Sequence, residues 1–261
     1  MSSLFKWLTK QRIPASKMDV RDAKRELRFL ILYSLFYVAL AIPISYLILW
    51  FPLPILGASN LTHQVWYALG FKIIALLIIP YWVFHSWGYR FRELVVLDWR
   101  FSPSSLFGIF LAVGFGFFLN LGHIPKIVEA IPNFSGLDLG LRLGIAVVLP
   151  IFAAAIPEEL FYRRMLQTQI ELRSSRLCAI LVTAILFTAW HLPTRFFLSD
   201  GVEGEAGNLV SVMLGTGIPV FIIGLIFSWH WDRYRRIVPL IVCHWAIDFL
   251  PFLSSFLKIK F

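Results

Sequence analysis

The chain has 261 residues, of which 59% are hydrophobic and 16% aromatic, and a formal net charge of +9. A soluble domain of this length needs far more polar surface, so the composition defines an integral membrane protein with room for one compact helical bundle. The charge does not point to nucleic acid, because the basic residues lie between apolar segments, where they set topology rather than grip phosphates.

Residues 1–28 are polar and basic, and a cytoplasmic segment is expected there. Within it SLFKWLTKQRI reads either as a short interfacial helix, with Phe5, Trp7 and Leu8 in the headgroups, or as a solvated tail. No cleaved signal peptide is expected, since the first apolar run is too long and too far from the start. Seven apolar segments follow, at roughly 29–51, 65–87, 104–122, 142–166, 177–197, 209–230 and 237–257, each near the ~20 residues that span a bilayer. Arg and Lys crowd the N-terminal segment, RFRELVVLDWR, the 163–176 region and DRYRR, whereas FPLPILGASNLTHQ has none and SDGVEGEAGN is acidic. By the positive-inside rule the N-terminus is cytoplasmic and, with seven spans, the C-terminus lies outside. The expected fold is therefore an all-α polytopic bundle. Pro43, Pro80, Pro150, Pro157, Pro219, Pro239 and Pro251 lie within spans and are expected to kink them. Cys178 and Cys243 also fall in spans and read as small fillers rather than a disulfide. No internal repeat is present, which disfavours an inverted-repeat transporter. The expected organisation is a basic segment (1–28), two membrane helices with a cytoplasmic loop (29–100) and a core (101–257).

Each ionisable residue within a span costs about 2.5–3.5 kcal/mol on insertion scales, so it calls for a partner or a purpose. They gather in three segments: Glu158, Glu159, Arg163 and Arg164 in the fourth, His191 in the fifth, His244 and Asp248 in the seventh. Glu159 and Arg163 are i,i+4, a favourable ion pair, while Glu158 is rotated by about 100° and left for a partner. Glu158 lies fifteen positions before Arg173, and His191 fifteen after Arg176. An antiparallel hairpin therefore brings both to one level, roughly 22 Å from the cytoplasmic boundary at ~1.5 Å per residue. Asp248 falls within about a turn of that level, with His244 one turn shallower on the same face. A carboxylate can take a proton from water, an imidazole can orient that water or serve the leaving amine, and further donors can hold an oxyanion.

EELFYR at Glu158–Arg163, FTAWH at Phe187–His191 and HWAID at His244–Asp248 stand in the order EExxxR, FxxxH and Hxxx(N/D). In that order they resemble the CPBP family of CAAX-protease and bacteriocin-processing membrane proteins, which includes the Rce1-like glutamic intramembrane proteases. The resemblance covers about residues 100–255. It implies an endopeptidase without a cofactor, in which Glu158 and His191 activate water and His244 and Asp248 lie on the oxyanion side. Glu159 and Arg163 would form the supporting pair, and Phe187 would pack beneath the His191 ring. Two departures stand out: Arg164 where a glycine is common, and Asp248 where asparagine is common. An ionised Asp cannot donate to an oxyanion, so Asp248 is expected either to be protonated or, preferably, to orient His244.

Motifs of the serine, aspartyl and HExxH zinc membrane proteases are absent, although Glu158, His191 and His244 would suit a zinc ion. Cys243 and His244 are adjacent on a helix, point apart and make no thiol dyad. A non-catalytic immunity, sensor or scaffold protein of the same fold is the alternative function. In a transporter, Lys72 and Asn120 could line a path, though Lys72 reads better as the partner of a carboxylate or as snorkelling. The acidic stretch Asp200 to Glu205 reads as a solvated turn or as a screen for basic substrates. The expected partners are the lipid bilayer and a membrane-associated peptide or protein: a prenylated CaaX tail, a bacteriocin leader or a C-terminal sorting tail. The depth of the site mildly disfavours the CaaX tail. The expected location is the plasma membrane of a prokaryote, and the sequence gives no oligomeric state.

Overall fold

The computed structural model describes residues 21–50, 67–94, 110, 113–118, 120–134, 136–199 and 203–257. Among these, helices dominate and no β-strand element occurs. Helix α1 is Ala23–Trp50. Helix α2 runs through Tyr67–Lys72 and Ile74–Ile78 into Ile79–Ser86. A short α3 is Ile124–Ala130, followed by α4 (Gly136–Arg173), α5 (Arg176–Leu198), α6 (Leu209–Tyr234) and α7 (Ile237–Phe256).

Five of these, α1 and α4–α7, are long and apolar enough to cross a membrane, and Gly70–Ser86 of α2 is a shorter apolar helix. The protein is thus an integral membrane helical bundle. Most of the expected span at 104–122 lies outside the described residues, as do the N-terminal segment up to residue 20 and the loop at 51–64. α4 extends beyond the expected 142–166 at both ends, because hydropathy marks the apolar middle while the helix itself continues into charge. Arg142 prolongs it by pairing with Asp138 at 3.0 Å, donating to the Phe256 carbonyl at 2.6 Å and lying over the Phe134 ring.

Asp22 caps α1: its carboxylate accepts from the Arg25 N–H, and Glu26 reaches back to accept from the Asp22 N–H, satisfying donors that a helix start leaves open. The Arg25 N–H, more than any neighbouring charge, holds the Asp22 carboxyl below its usual range. Along α1 the large apolar side chains Leu32, Phe36 and Trp50 face outward, while Ser34 and Ser45 are buried. This distribution is that of a helix in lipid, with apolar groups outside and small polar groups within the bundle.

Glu26 itself is buried and gathers the end of the bundle where α1 begins. It accepts from the Tyr89 hydroxyl at 2.6 Å and from the Gln169 amide of α4. Arg164, at the position where the resemblance leads one to expect glycine, donates to the Glu93 carbonyl at 2.9 Å. Arg164 therefore stitches α4 to the short helix Phe91–Leu94 that follows α2.

Ser175 caps α5 by accepting from the Cys178 N–H, which makes the tight antiparallel turn from α4. α5 packs along both α1 and α6. Gly224 allows the close approach of α6, since a Cβ there would lie 3.3 Å from the Phe187 ring and 3.4 Å from Ala184. The α6–α7 turn is made by Arg235 in the left-handed region, at φ 50°, and its guanidinium pairs with Glu171 of α4. Two further bonds join α6 to α4: Gln167 donates to the Ser228 carbonyl, and the Trp231 indole to the Thr168 hydroxyl.

In two stretches of α4, Ile151–Ala155 and Glu159–Gln167, the backbone is π-helical, with Pro157 between them in Ile156–Glu158. A proline withholds one donor and pushes the preceding turn outward, and wide i→i+5 turns are a common way to absorb the misfit.

Gly224→Val is expected to force α5 and α6 apart and to destabilise the bundle by about 1–3 kcal/mol, the usual penalty of overpacking. Thermal unfolding of the purified protein in detergent, followed by tryptophan fluorescence, measures it.

Candidate active site

Helices α2, α4, α5 and α7 converge on the Glu158 carboxylate, whose side chain is 0% exposed. Its Oε2 lies 3.6 Å from Nε2 of His191 and 3.6 Å from Nε2 of His244. Both separations exceed direct hydrogen-bond length. Nε2 of His244 is also 3.5 Å from Oδ2 of Asp248. The four residues expected from the sequence as catalytic are therefore together. His244, expected one turn shallower, reaches Glu158 at the same distance as His191.

The tautomers of both rings follow from their other nitrogens. Nδ1 of His191 is 2.7 Å from the Phe187 carbonyl, which can only accept, so Nδ1 carries hydrogen. Nδ1 of His244 is 2.8 Å from Oε1 of Glu159 and donates to it in the same way. Each ring thus turns its Nε2 toward Glu158. The geometry differs here from the expectation for Asp248. The nitrogen an orienting acid would hold is taken by Glu159, and Asp248 stands at the opposite side of the ring.

Glu159 therefore links two partners. Arg163 Nε lies 3.4 Å from its Oε2, the i,i+4 contact expected from the sequence, and both side chains are fully buried. The guanidinium of Arg163 also lies 4.4 Å over the Phe187 ring and 5.6 Å from that of Phe227. Phe187 in turn meets His191 edge-on at 4.9 Å and His244 at 6.1 Å. Phe187 thus packs against the Arg163 guanidinium and both imidazoles, and it limits the rotation of both rings.

One group was not assigned to Glu158 from the sequence. Lys72 of α2 forms an ion pair with Oε1, so Glu158 is not without an ionic mate. The same ammonium lies 4.7 Å over the Trp190 ring, which stacks on Tyr67 and touches Tyr37. The depth count could have found it. Lys72 lies eighteen positions before Arg90, or about 27 Å at ~1.5 Å per residue, within a turn of the level reckoned for Glu158. What hid it was the lack of any motif in α2.

Asn120 has a structural setting, donating to the carbonyls of Gly116 and Ile247. In the acidic stretch Asp200 is outside the described residues. Glu203 pairs with Arg195 at 2.5 Å and its carbonyl accepts from Thr216, so that part of the stretch is held.

A divalent cation at Glu158 would share the carboxylate with the Lys72 ammonium, an unfavourable neighbour for metal charge. Among the described residues no group of three or more His, Cys, Asp or Glu side chains is arranged to hold a metal ion.

An acid and two imidazoles thus meet inside a polytopic helical bundle. Residues 141–250 match the family Type II CAAX prenyl endopeptidase Rce1-like, within CPBP, so this segment is Rce1-like and the resemblance carried by the three motifs holds. The match supports an intramembrane CAAX-type protease at family level. The match takes in nearly all of α4, all of α5 and α6 and most of α7, but not α2 with Lys72. No curated protein and no solved structure matches the chain.

Glu159→Ala is expected to leave Arg163 buried without its carboxylate and to destabilise the protein by about 3–5 kcal/mol. Asp248→Asn, at a partly exposed position outside that pair, should move the unfolding midpoint far less. Thermal unfolding of the two variants side by side distinguishes them.

Proposed function

We propose that the protein is a glutamic-type endopeptidase that hydrolyses a peptide bond of a membrane-associated substrate. The observation that carries this reading is the convergence of Nε2 of His191 and Nε2 of His244 on Oε2 of the buried Glu158. Water held between Glu158 and His191 gives a proton to the carboxylate while its oxygen attacks the peptide carbonyl. Glu158 then returns that proton to the leaving amine. His244 serves the developing oxyanion as an imidazolium, Nδ1–H being given to Glu159 and Nε2–H to the substrate oxygen. Asp248 supplies counter-charge beside Nε2 and is not the oxyanion donor.

Access follows from exposure. Glu158 is 0% exposed, whereas the side chains of His191 and Asp248 are 15% and 24% exposed. The substrate therefore enters from the side on which His191 and Asp248 are exposed, with Lys72 and Glu158 at the closed end. We read the N-terminus as cytoplasmic, from the Arg- and Lys-rich loops, and the location as a prokaryotic plasma membrane.

The membrane peptidomes of cells making the wild type and Glu158→Ala at equal abundance test the proposal. At least one membrane peptide or precursor is expected to change, with release reduced by about 10²–10⁴-fold, the range for loss of a general base. Identical peptidomes would sink it. Activity of the purified protein is expected to persist in a chelator, and its loss there would favour the metal reading.

A further inference from the structure

The two oxygens of Glu158 face different partners. Oε1 is taken by the Lys72 ammonium, while Oε2 is the atom near both imidazoles. Lys72 therefore fixes which oxygen is turned to the reaction. The ammonium is itself held from two sides, by the carboxylate and by the face of Trp190, an indole ring being the best cation–π partner. Four helices set these positions, and none of the three sequence motifs includes Lys72.

Charge balance gives the arrangement its meaning. Arg163 answers Glu159 inside α4. What remains is two carboxylates, Glu158 and Asp248, 3.6 and 3.5 Å from one imidazole nitrogen. Even with His244 between them as an imidazolium, two carboxylates in a water-poor site leave one negative charge in excess, and without a further cation one of them takes up a proton. Among the described residues Lys72 is the Lys or Arg side chain paired with Glu158.

We infer that Lys72 and Asp248 form a compensating pair on either side of Glu158. In it Lys72 is a positioning residue that keeps Glu158 an oriented carboxylate, and the charge of Asp248 is what makes Lys72 necessary. Asp248 and Lys72 then act as one unit: a chain with an uncharged amide at position 248 has less need of the lysine. This rests on the reading of Glu158 as the base, and it deepens that reading by adding a residue from outside the matched segment. A lysine that served only to fill and fasten the bundle would show no dependence on position 248.

The test compares wild type, Lys72→Met, Lys72→Arg, Asp248→Asn and the double variant Lys72→Met/Asp248→Asn, at equal abundance and with unfolding midpoints recorded. The first readout is release of the peptide whose appearance needs Glu158. Lys72→Met is expected to lower it by about 100-fold, the lower range for loss of a general base, and Lys72→Arg to retain most of it. The double variant is expected to recover at least about ten-fold over Lys72→Met, while Asp248→Asn alone costs less than Lys72→Met. Equal loss in Lys72→Met and the double variant, with both folded, overturns the pairing, as does unchanged release in Lys72→Met.

The second readout does not depend on activity. Infrared spectroscopy of the purified protein is expected to show a protonated carboxyl stretch that Lys72→Met gains over wild type. Both the double variant and Lys72→Met/Glu158→Gln should lack it. If no peptide depends on Glu158, the endopeptidase reading has failed, yet this spectrum still decides the pairing. Absence of the band from Lys72→Met overturns it.

Discussion

A carboxylate with no exposure to solvent cannot remain charged inside an apolar bundle unless other groups replace the water it has lost. Glu158 meets that condition with one ammonium and two imidazoles drawn from three other helices. Much of the architecture around it follows from this demand. α2 brings Lys72, the α4–α5 hairpin brings His191 level with Glu158, and α7 brings His244. Glu159 and Arg163 form a neutral unit beneath the ring of His244, so that the ring is aimed without adding net charge.

The wide turns of α4 belong to the same requirement. A regular helix interrupted by Pro157 would leave a kink or an open backbone acceptor where the two glutamates stand. The π-helical stretches on either side instead keep the helix continuous from Gly136 to Arg173. The adjacent glutamates are thereby presented in different directions, Glu158 to Lys72 and the two imidazoles, Glu159 to Arg163 and Nδ1 of His244.

Much of the site was legible in the sequence because its groups stand in short patterns with helical periodicity. The Glu159–Arg163 spacing gave their contact, and counting from Arg173 and Arg176 brought Glu158 and His191 to one depth. The role of Glu159 toward His244 was not legible, since it depends on how α7 is rotated against α4 and no spacing within either helix encodes that. Asp248 was read as the orienting acid because i,i+4 neighbours meet on one helix, but a long-range partner took the ring nitrogen instead. Helix lengths were under-read for a different reason. Hydropathy ends where charge begins, whereas α4 continues wherever charged side chains such as Arg142 find partners.

The Glu26 junction bears on what counts as the minimal folding unit. This buried acid of α1 is shared between Tyr89, just past the second helix, and Gln169, near the end of α4. Excising everything ahead of the homologous segment would strand the Gln169 amide and remove Lys72 with it. The matched segment is accordingly not an autonomous module. The side-chain joints at Glu26 and Lys72 tie the matched segment to α1 and α2.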